Sequence, residues 1–201
     1  MNRICTIAAL AACLALPGLA QGTDPFQTLR AYDWQDRRAI QAIARQIQEA
    51  RGNAAQQARI ESGLVGVLDD PSATFAGKQE AARLLWMIGT ARSVPALARL
   101  LPQERLSDVA RFALERNPSP EAGAALITTL QAARTTTARV GIINALGNRA
   151  EPRAVAALRP FAAGKAGPQA VEPAIAALGK IGTPEALAVL RKLPPSSART
   201  A

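Results

Sequence analysis

Apolar residues recur at helical spacing along most of the chain, and the same pattern returns after a fixed interval. Leu114, Leu146 and Leu178 follow one another at steps of 32 residues. The same step separates three further sets of residues: Leu126, Leu158 and Leu190; Pro120, Pro152 and Pro184; and Ala113, Ala145 and Ala177. A constant period of this length is the signature of a protein built from stacked structural repeats.

Each repeat is predicted to contain two antiparallel helices. At 119–121 and 183–185, a serine or threonine that can accept a backbone N–H bond precedes a proline and a glutamate, as at many helix starts. We expect glycines to end the second helices, at Gly89, at Gly147, and at Gly179 or Gly182. No stretch alternates between apolar and polar residues as a strand between hairpin turns would. The sequence therefore predicts an all-α fold, an α-solenoid of stacked helix pairs.

The region before the repeats is less regular. Two amphipathic helices are predicted, over 35–51 and 54–69, and aromatic residues precede the first of them. We expect these aromatic residues, Phe26, Tyr32 and Trp34, to close the first apolar face of the solenoid, with a ligand site as the alternative. The predicted organisation is capping helices over 21–77, repeats over 78–193 and a disordered tail over 194–201.

The repeat sequence resembles a known family. The stretch Ala177–Leu187 reads Ala-Leu-Gly-Lys-Ile-Gly-Thr-Pro-Glu-Ala-Leu and is similar to the HEAT-like repeats first associated with phycobilisome lyases. Val94–Leu101 is similar to the first helix of such a repeat. The stretches 26–34 and 78–89 also resemble exported HEAT-repeat proteins of environmental bacteria. This resemblance implies a solenoid of HEAT-like repeats and does not specify a function.

The first twenty residues have the layout of a secretory signal peptide. Residues 4–16 are almost entirely apolar, and small residues precede the expected cleavage after Ala20. The apolar run is too short to span a membrane, and a buried N-terminal helix is the alternative. Leu10–Cys13 also resembles a lipoprotein box, so acylation of Cys13 is a second possibility. We expect an exported bacterial protein, periplasmic or secreted, that meets a membrane only if Cys13 is lipidated.

Several kinds of chemistry are missing from the sequence. The chain has no histidine, and its two cysteines, Cys5 and Cys13, lie in the predicted signal peptide. Histidine-based catalysis, thiolate nucleophiles and zinc sites are therefore excluded from the mature chain. The close acidic pairs, 33 with 36 and 69 with 70, suit turns and helix starts better than catalysis. We expect no enzyme activity, no cofactor and no bound metal.

The chain is strongly basic, and arginine supplies most of the charge. It carries 24 Lys and Arg against 15 Asp and Glu, a formal net charge of +9. No block of five or six like charges is present, so the arginines are expected to solubilise an alanine-rich helical chain. An exported protein rarely meets nucleic acid, and we expect no such partner. Arginine-mediated binding to an anionic polymer or lipid is an alternative.

The candidate binding residues lie on the second helices of the repeats. They are Arg83, Trp86, Phe112, Arg116, Asn144 and Lys180. An exposed aromatic residue beside arginines is typical of a binding hot spot. Packing of the two aromatic residues in the core between repeats is the competing expectation, and the one we favour. The function predicted is an exported protein-interaction or scaffolding module. The alternative is a histidine-free enzyme, or an accessory subunit of an envelope enzyme, acting on a glycan or cofactor.

Overall fold

A computed structural model describes residues 24–194 and consists of helices joined by short loops. The predicted signal peptide and tail residues 195–201 lie outside the described residues. No strand occurs in the described part, so the all-α prediction is confirmed. The helices are α1 (Pro25–Arg30), α2 (Arg38–Glu49), α3 (Ala54–Asp69), α4 (Phe75–Ile88), α5 (Val94–Leu100), α6 (Glu104–Arg116), α7 (Pro120–Ala132), α8 (Thr136–Asn148), α9 (Val155–Ala162), α10 (Val171–Ile181) and α11 (Pro184–Arg191).

The helices stack as successive antiparallel pairs. The pairs are α3 with α4, α5 with α6, α7 with α8, and α9 with α10, and α11 continues the row of first helices. The second helices, α4, α6, α8 and α10, form one layer, and the first helices form the other. The second helices pack on one another more extensively than the first helices do. This arrangement is the predicted α-solenoid.

The periodic leucines form the core between the layers. Leu114, Leu146 and Leu178 are completely buried, and so are Leu126 and Leu158. Because one helix pair cannot cover its own apolar faces, each pair buries these leucines against its neighbours. The 32-residue period therefore records how often the chain returns to the same core position.

Small residues let the second helices approach closely. A Cβ atom added to Gly147 would lie 2.8 Å from both Cα and Cβ of Ala177. This glycine lies inside α8, so the expectation that it ends the helix is wrong. Gly182 does end α10 in a left-handed conformation, with φ of 63°, whereas Gly89 caps α4 with φ of −59°. Position 147 requires glycine because α10 packs closely against it, not because the backbone adopts a left-handed conformation there.

The predicted helix starts are only partly capped by side chains. Thr183 Oγ1 accepts a hydrogen bond from the Ala186 backbone N–H at 3.2 Å, as expected for an N-cap. Ser119 occupies the equivalent position before α7, but its hydroxyl makes no hydrogen bond there. Proline at the first position of both helices removes one N–H that would need an acceptor.

The N-terminal helices α1 and α2 pack against α3 and α4. The Phe26 ring lies directly against Gly63 of α3, where a Cβ atom would approach it to 2.7 Å. Tyr32 is buried, whereas Trp34 is 52% exposed and has φ of 78°. The boundary placed between residues 77 and 78 lies inside α4, and α3 already packs as the first helix of a pair. Phe26 and Tyr32 therefore pack against the rest of the protein, whereas about half of Trp34 remains exposed.

Candidate interaction surface

Two aromatic side chains and one arginine form a cluster on the layer of second helices. The rings of Trp86, from α4, and Phe112, from α6, are stacked with centroids 5.6 Å apart and an interplanar angle of 17°. The Arg116 guanidinium carbon lies 5.3 Å from the Trp86 ring centroid, within cation–π range. All three residues lie near the C-terminal ends of their helices. They meet because successive second helices run parallel. We call these three residues the aromatic–arginine cluster.

The cluster is accessible to solvent. Trp86 is 36% exposed and Phe112 is 44% exposed, so the expectation that they fill core space is wrong. The reason is helical register: Ala110, Ala113 and Leu114 take the buried face of α6, which leaves Phe112 on the opposite face. The stacked rings shield each other in part from water, and each residue keeps more than a third of its surface exposed.

Arg83 lies one turn before Trp86 on α4 and has its own ion pair. Its Nη2 lies 2.6 Å from Glu80 Oε2, and its Nε donates to the same oxygen at 2.7 Å. The Glu80 side chain is nearly buried, whereas about half of the Arg83 side chain is exposed. The buried carboxylate therefore fixes the position of a guanidinium that still faces solvent.

A chain of polar contacts continues the surface toward the C-terminus. Asn148 of α8 donates to Glu115 Oε1 at 3.0 Å, and Lys180 Nζ of α10 donates to Asn148 Oδ1 at 2.7 Å. Asn144 lies one turn before Asn148 and is also exposed. The structure therefore brings Trp86, Phe112 and Arg116 into contact and places Asn144 and Lys180 further along the same layer.

A second aromatic group lies at the other end of α4 and joins Tyr32 and Trp34, both assigned to the cap from the sequence, to Phe75, which the sequence did not single out. The Trp34 ring centroid is 5.8 Å from that of Tyr32 and 6.3 Å from that of Phe75. The Arg105 guanidinium carbon lies 3.9 Å from the Phe75 ring centroid. Phe75 and Arg105 each belong to the first turn of a second helix. This equivalent position in two repeats was the sequence feature that could have predicted their contact. The eleven residues from Phe75 to Trp86 put about 16 Å between the two aromatic groups.

The architecture agrees with comparison to known families. Residues 123–199 match the family model of HEAT repeats. No curated protein shows significant similarity to the chain. The match covers most of α7 and all of α8 to α11, and the pairs before it continue the same stacking. The fold is therefore a solenoid of HEAT-like repeats, an architecture that presents extended surfaces for binding.

A buried carboxylate joins the first two helix pairs of the stack, α3–α4 and α5–α6. Glu61 of α3 is 2% exposed, and its Oε1 accepts hydrogen bonds from the backbone N–H groups of Thr90, at 2.7 Å, and Ser93, at 3.2 Å. The Thr90 hydroxyl also bonds to this carboxylate. Asn117 extends the contacts by donating to the Thr90 carbonyl oxygen at 2.8 Å. We call Glu61, Thr90 and Ser93 the Glu61 network.

A second network lies one repeat further on and is centred on Arg149. Its guanidinium donates to the backbone carbonyl oxygens of four residues: Leu114, Glu115, Asn117 and Ser119. Arg149 Nε lies 4.0 Å from Glu151 Oε2, and Arg153 Nε lies 2.7 Å from Glu151 Oε1. We call Arg149, Glu151 and Arg153 the Arg149 network. It joins the end of α8 to the loop between α6 and α7.

The charges in the Arg149 network perturb one another. A hydrogen bond from Arg153 is the main cause that lowers the pKa of the buried Glu151 carboxyl. Burial lowers the pKa of Arg149, against the attraction of Glu151. The lowered pKa favours the ionised form of Glu151, and arginine keeps its proton in proteins. The contact is therefore an ion pair between neighbouring repeats.

The acidic residues of the described part of the chain form no cluster suited to metal binding. Within residues 24–194 no group of three His, Cys, Asp or Glu side chains could hold a metal ion. Asp70 accepts hydrogen bonds from Ser72 in a turn, as predicted, and these bonds lower its pKa. None of the helices over 24–194 has the length and apolarity needed to cross a bilayer.

Proposed function

We propose that the chain is an exported interaction module that binds another protein through the layer of second helices. The observation that carries the proposal is the aromatic–arginine cluster, in which two large stacked rings are exposed beside a guanidinium. Aromatic residues and arginine are enriched at binding hot spots because they offer large contact areas and directed hydrogen bonds. The solenoid supplies a rigid frame for them.

The neighbouring groups support a protein as the ligand. Arg83 is held in place by Glu80, and Glu115, Asn148 and Lys180 offer both donors and acceptors across three helices. A bound peptide needs hydrogen-bond donors and acceptors along its whole length, because its backbone carries both N–H and carbonyl groups. An apolar centre with a polar border is the common anatomy of protein interfaces.

The experiment compares substitutions within and outside the cluster. The mature chain, from residue 21, is used to isolate a partner from the envelope fraction, and the partner is then purified. Trp86→Ala with Phe112→Ala should weaken the measured affinity by about tenfold or more. Leu187→Ala is the control, because Leu187 is also an exposed apolar residue, on α11. Equal affinity for wild type and the double variant, with both folded by circular dichroism, would refute the proposal.

Export and the phycobilisome-lyase type of the repeats belong to the same proposal. They rest on the apolar stretch at 4–16 and on the motif at 177–187. Expression of the full chain in a bacterium, followed by mass spectrometry of the envelope fraction, should show cleavage after Ala20. A cytoplasmic product retaining residue 1 would exclude export, and an acylated N-terminus at Cys13 would replace secretion with membrane anchoring.

A further inference from the structure

A groove lies between the first helices α9 and α11, in the layer opposite the aromatic–arginine cluster. One part of it has a volume of about 480 Å³. The adjoining part has a volume of about 500 Å³ and shares Ala156, Arg159 and Val189 with the first. The apolar residues of the groove include Ala156, Pro160, Val189 and Leu193, and Arg159, Lys165 and Lys192 also line it.

Net positive charge distinguishes the end of the chain that forms the groove from the opposite end. Residues 152–194 contain six Lys and Arg and two Asp and Glu. Residues 24–70, at the opposite end of the stack, contain six Lys and Arg and seven Asp and Glu. Residues 152–194 therefore carry a net charge of +4 (six minus two), against −1 (six minus seven) for residues 24–70. The cations that line the groove attract an anionic ligand.

The groove's cations have few partners within the protein. Across the described residues, Arg159, Lys165 and Lys192 have no carboxylate within 4.0 Å. Arg153, beside the second part of the groove, is held by Glu151 instead. Glu185 is the one carboxylate that lines the groove. Three cations thus remain available beside an apolar cleft.

We infer that this groove is a second binding site, which takes an acidic peptide segment carrying apolar side chains. Carboxylates would pair with Arg159 and Lys192, and an apolar side chain would cover the residues between them. The tail does not fit, because residues 195–201 contain an arginine and no Asp or Glu. A second copy of the chain carries the same net charge of +9, which opposes its docking at the groove.

The concave apolar part of the groove distinguishes a peptide from other anions. The surface of a lipid bilayer is flat and would meet the cations without reaching between α9 and α11. A polyanion without apolar groups would leave Val189 and Leu193 uncovered. A peptide that combines glutamates with leucines satisfies both parts of the groove.

The test uses a labelled peptide of about twelve residues in which glutamates alternate with leucines, and a counterpart with glutamine in place of glutamate. Fluorescence anisotropy should show that the mature protein binds the glutamate peptide at least about tenfold more tightly than the glutamine peptide. Arg159→Glu with Lys192→Glu should remove this preference. Arg134→Glu with Arg37→Glu makes the same change in net charge at exposed sites outside the groove and should retain it.

Four results would overturn the inference. They are the absence of peptide binding, an equal loss of binding in both double variants, salt-dependent adsorption to anionic lipid vesicles that requires Arg159 and Lys192, and self-association of the protein abolished by the same substitutions. Trp86→Ala with Phe112→Ala should leave peptide binding unchanged. The groove and the aromatic–arginine cluster can therefore fail independently.

Discussion

Arg116 and Arg149 lie at the ends of successive second helices but do opposite things. Arg116, the last residue of α6, reaches over the exposed Trp86 ring. Arg149, the cap residue of α8, has its side chain almost buried and bonds to backbone carbonyl oxygens of the preceding repeat. The comparison shows that the loops after the second helices join neighbouring repeats through the buried Glu61 and Arg149 networks. The surface of the second helices, in contrast, keeps an arginine exposed beside aromatic rings. Stability and binding should therefore respond to different substitutions.

The largest effect is expected at the Glu61 network. Glu61→Ala would leave the buried Ser93 backbone N–H and the partly buried Thr90 backbone N–H without their acceptor. We expect a loss of about 3 kcal/mol in the free energy of unfolding, and a fall in Tm of about 9 °C. Urea and thermal denaturation would measure both.

The matched control for this substitution is Glu49→Ala, at an exposed position on α2. Its effect should stay within about 0.5 kcal/mol. If the two variants were equally stable, Glu61 would have no special part in joining the repeats.

Two glycines of the second helices provide the next comparison. Gly147→Ala would push a Cβ atom against the α10 backbone at Ala177, and should destabilise the protein by about 2 kcal/mol. Gly179→Ala meets no atom within 4 Å and should stabilise the protein by about 0.5 kcal/mol through helix propensity. Opposite signs in denaturant unfolding would confirm close packing of α8 on α10. A gain in stability for both variants would contradict it.

The Arg149 network should respond to pH. The folded pKa of Glu151 is lowered, chiefly by the hydrogen bond from Arg153, so its carboxylate stabilises the fold above the unfolded pKa of about 4.3. That contribution is lost as the pH falls through the lower folded pKa. Glu151→Gln should cost about 1 kcal/mol at pH 7, and the difference from wild type should shrink below about pH 4. A difference that is constant from pH 7 to pH 3, measured by urea unfolding, would exclude this ion pair as the cause.

The smallest effect on stability is expected at the exposed cluster. Arg116→Gln removes one cation–π contact at the surface and should cost about 0.5 kcal/mol. Binding of the partner isolated with the wild-type chain should nevertheless weaken. A loss of stability equal to that of Glu61→Ala would show that Arg116 also holds the repeats together. Arg134→Gln, in an exposed loop, is the control for changed charge.

The repeated core could be predicted from the sequence because its signal is local and recurs. Leu114, Leu146 and Leu178 were identified by period alone, and the predicted helix over 54–69 coincides with α3. The helix predicted over 35–51 extends only over Arg38–Glu49. Its first residues form a turn in which Asp36 accepts the Arg38 backbone N–H, so Asp36 precedes the helix instead of joining its first turn. Local hydrogen bonds by short side chains decide such ends.

The candidate surface was only partly predictable for a different reason. Helical spacing placed Trp86 and Phe112 on second helices, but their exposure depends on how α4 and α6 pack. The Glu61 network joins residues about thirty positions apart, beyond the reach of local patterns. A charged residue beside the apolar stripe of Ile60 and Leu64 was its one visible sign. Long-range polar contacts are fixed by the assembled fold.

The spacing of the second helices also fixes how far apart the contacts with a bound extended peptide lie. Neighbouring packed helices lie about 8–10 Å apart, and an extended peptide advances about 3.3 Å per residue. A segment crossing the layer at right angles would therefore meet a new helix at about every third residue. The contacts from Glu115 through Asn148 to Lys180 span three helices and therefore mark two such steps. Adding or removing one 32-residue repeat would change the length of peptide that the layer can contact. The spacing between successive contacts would stay the same.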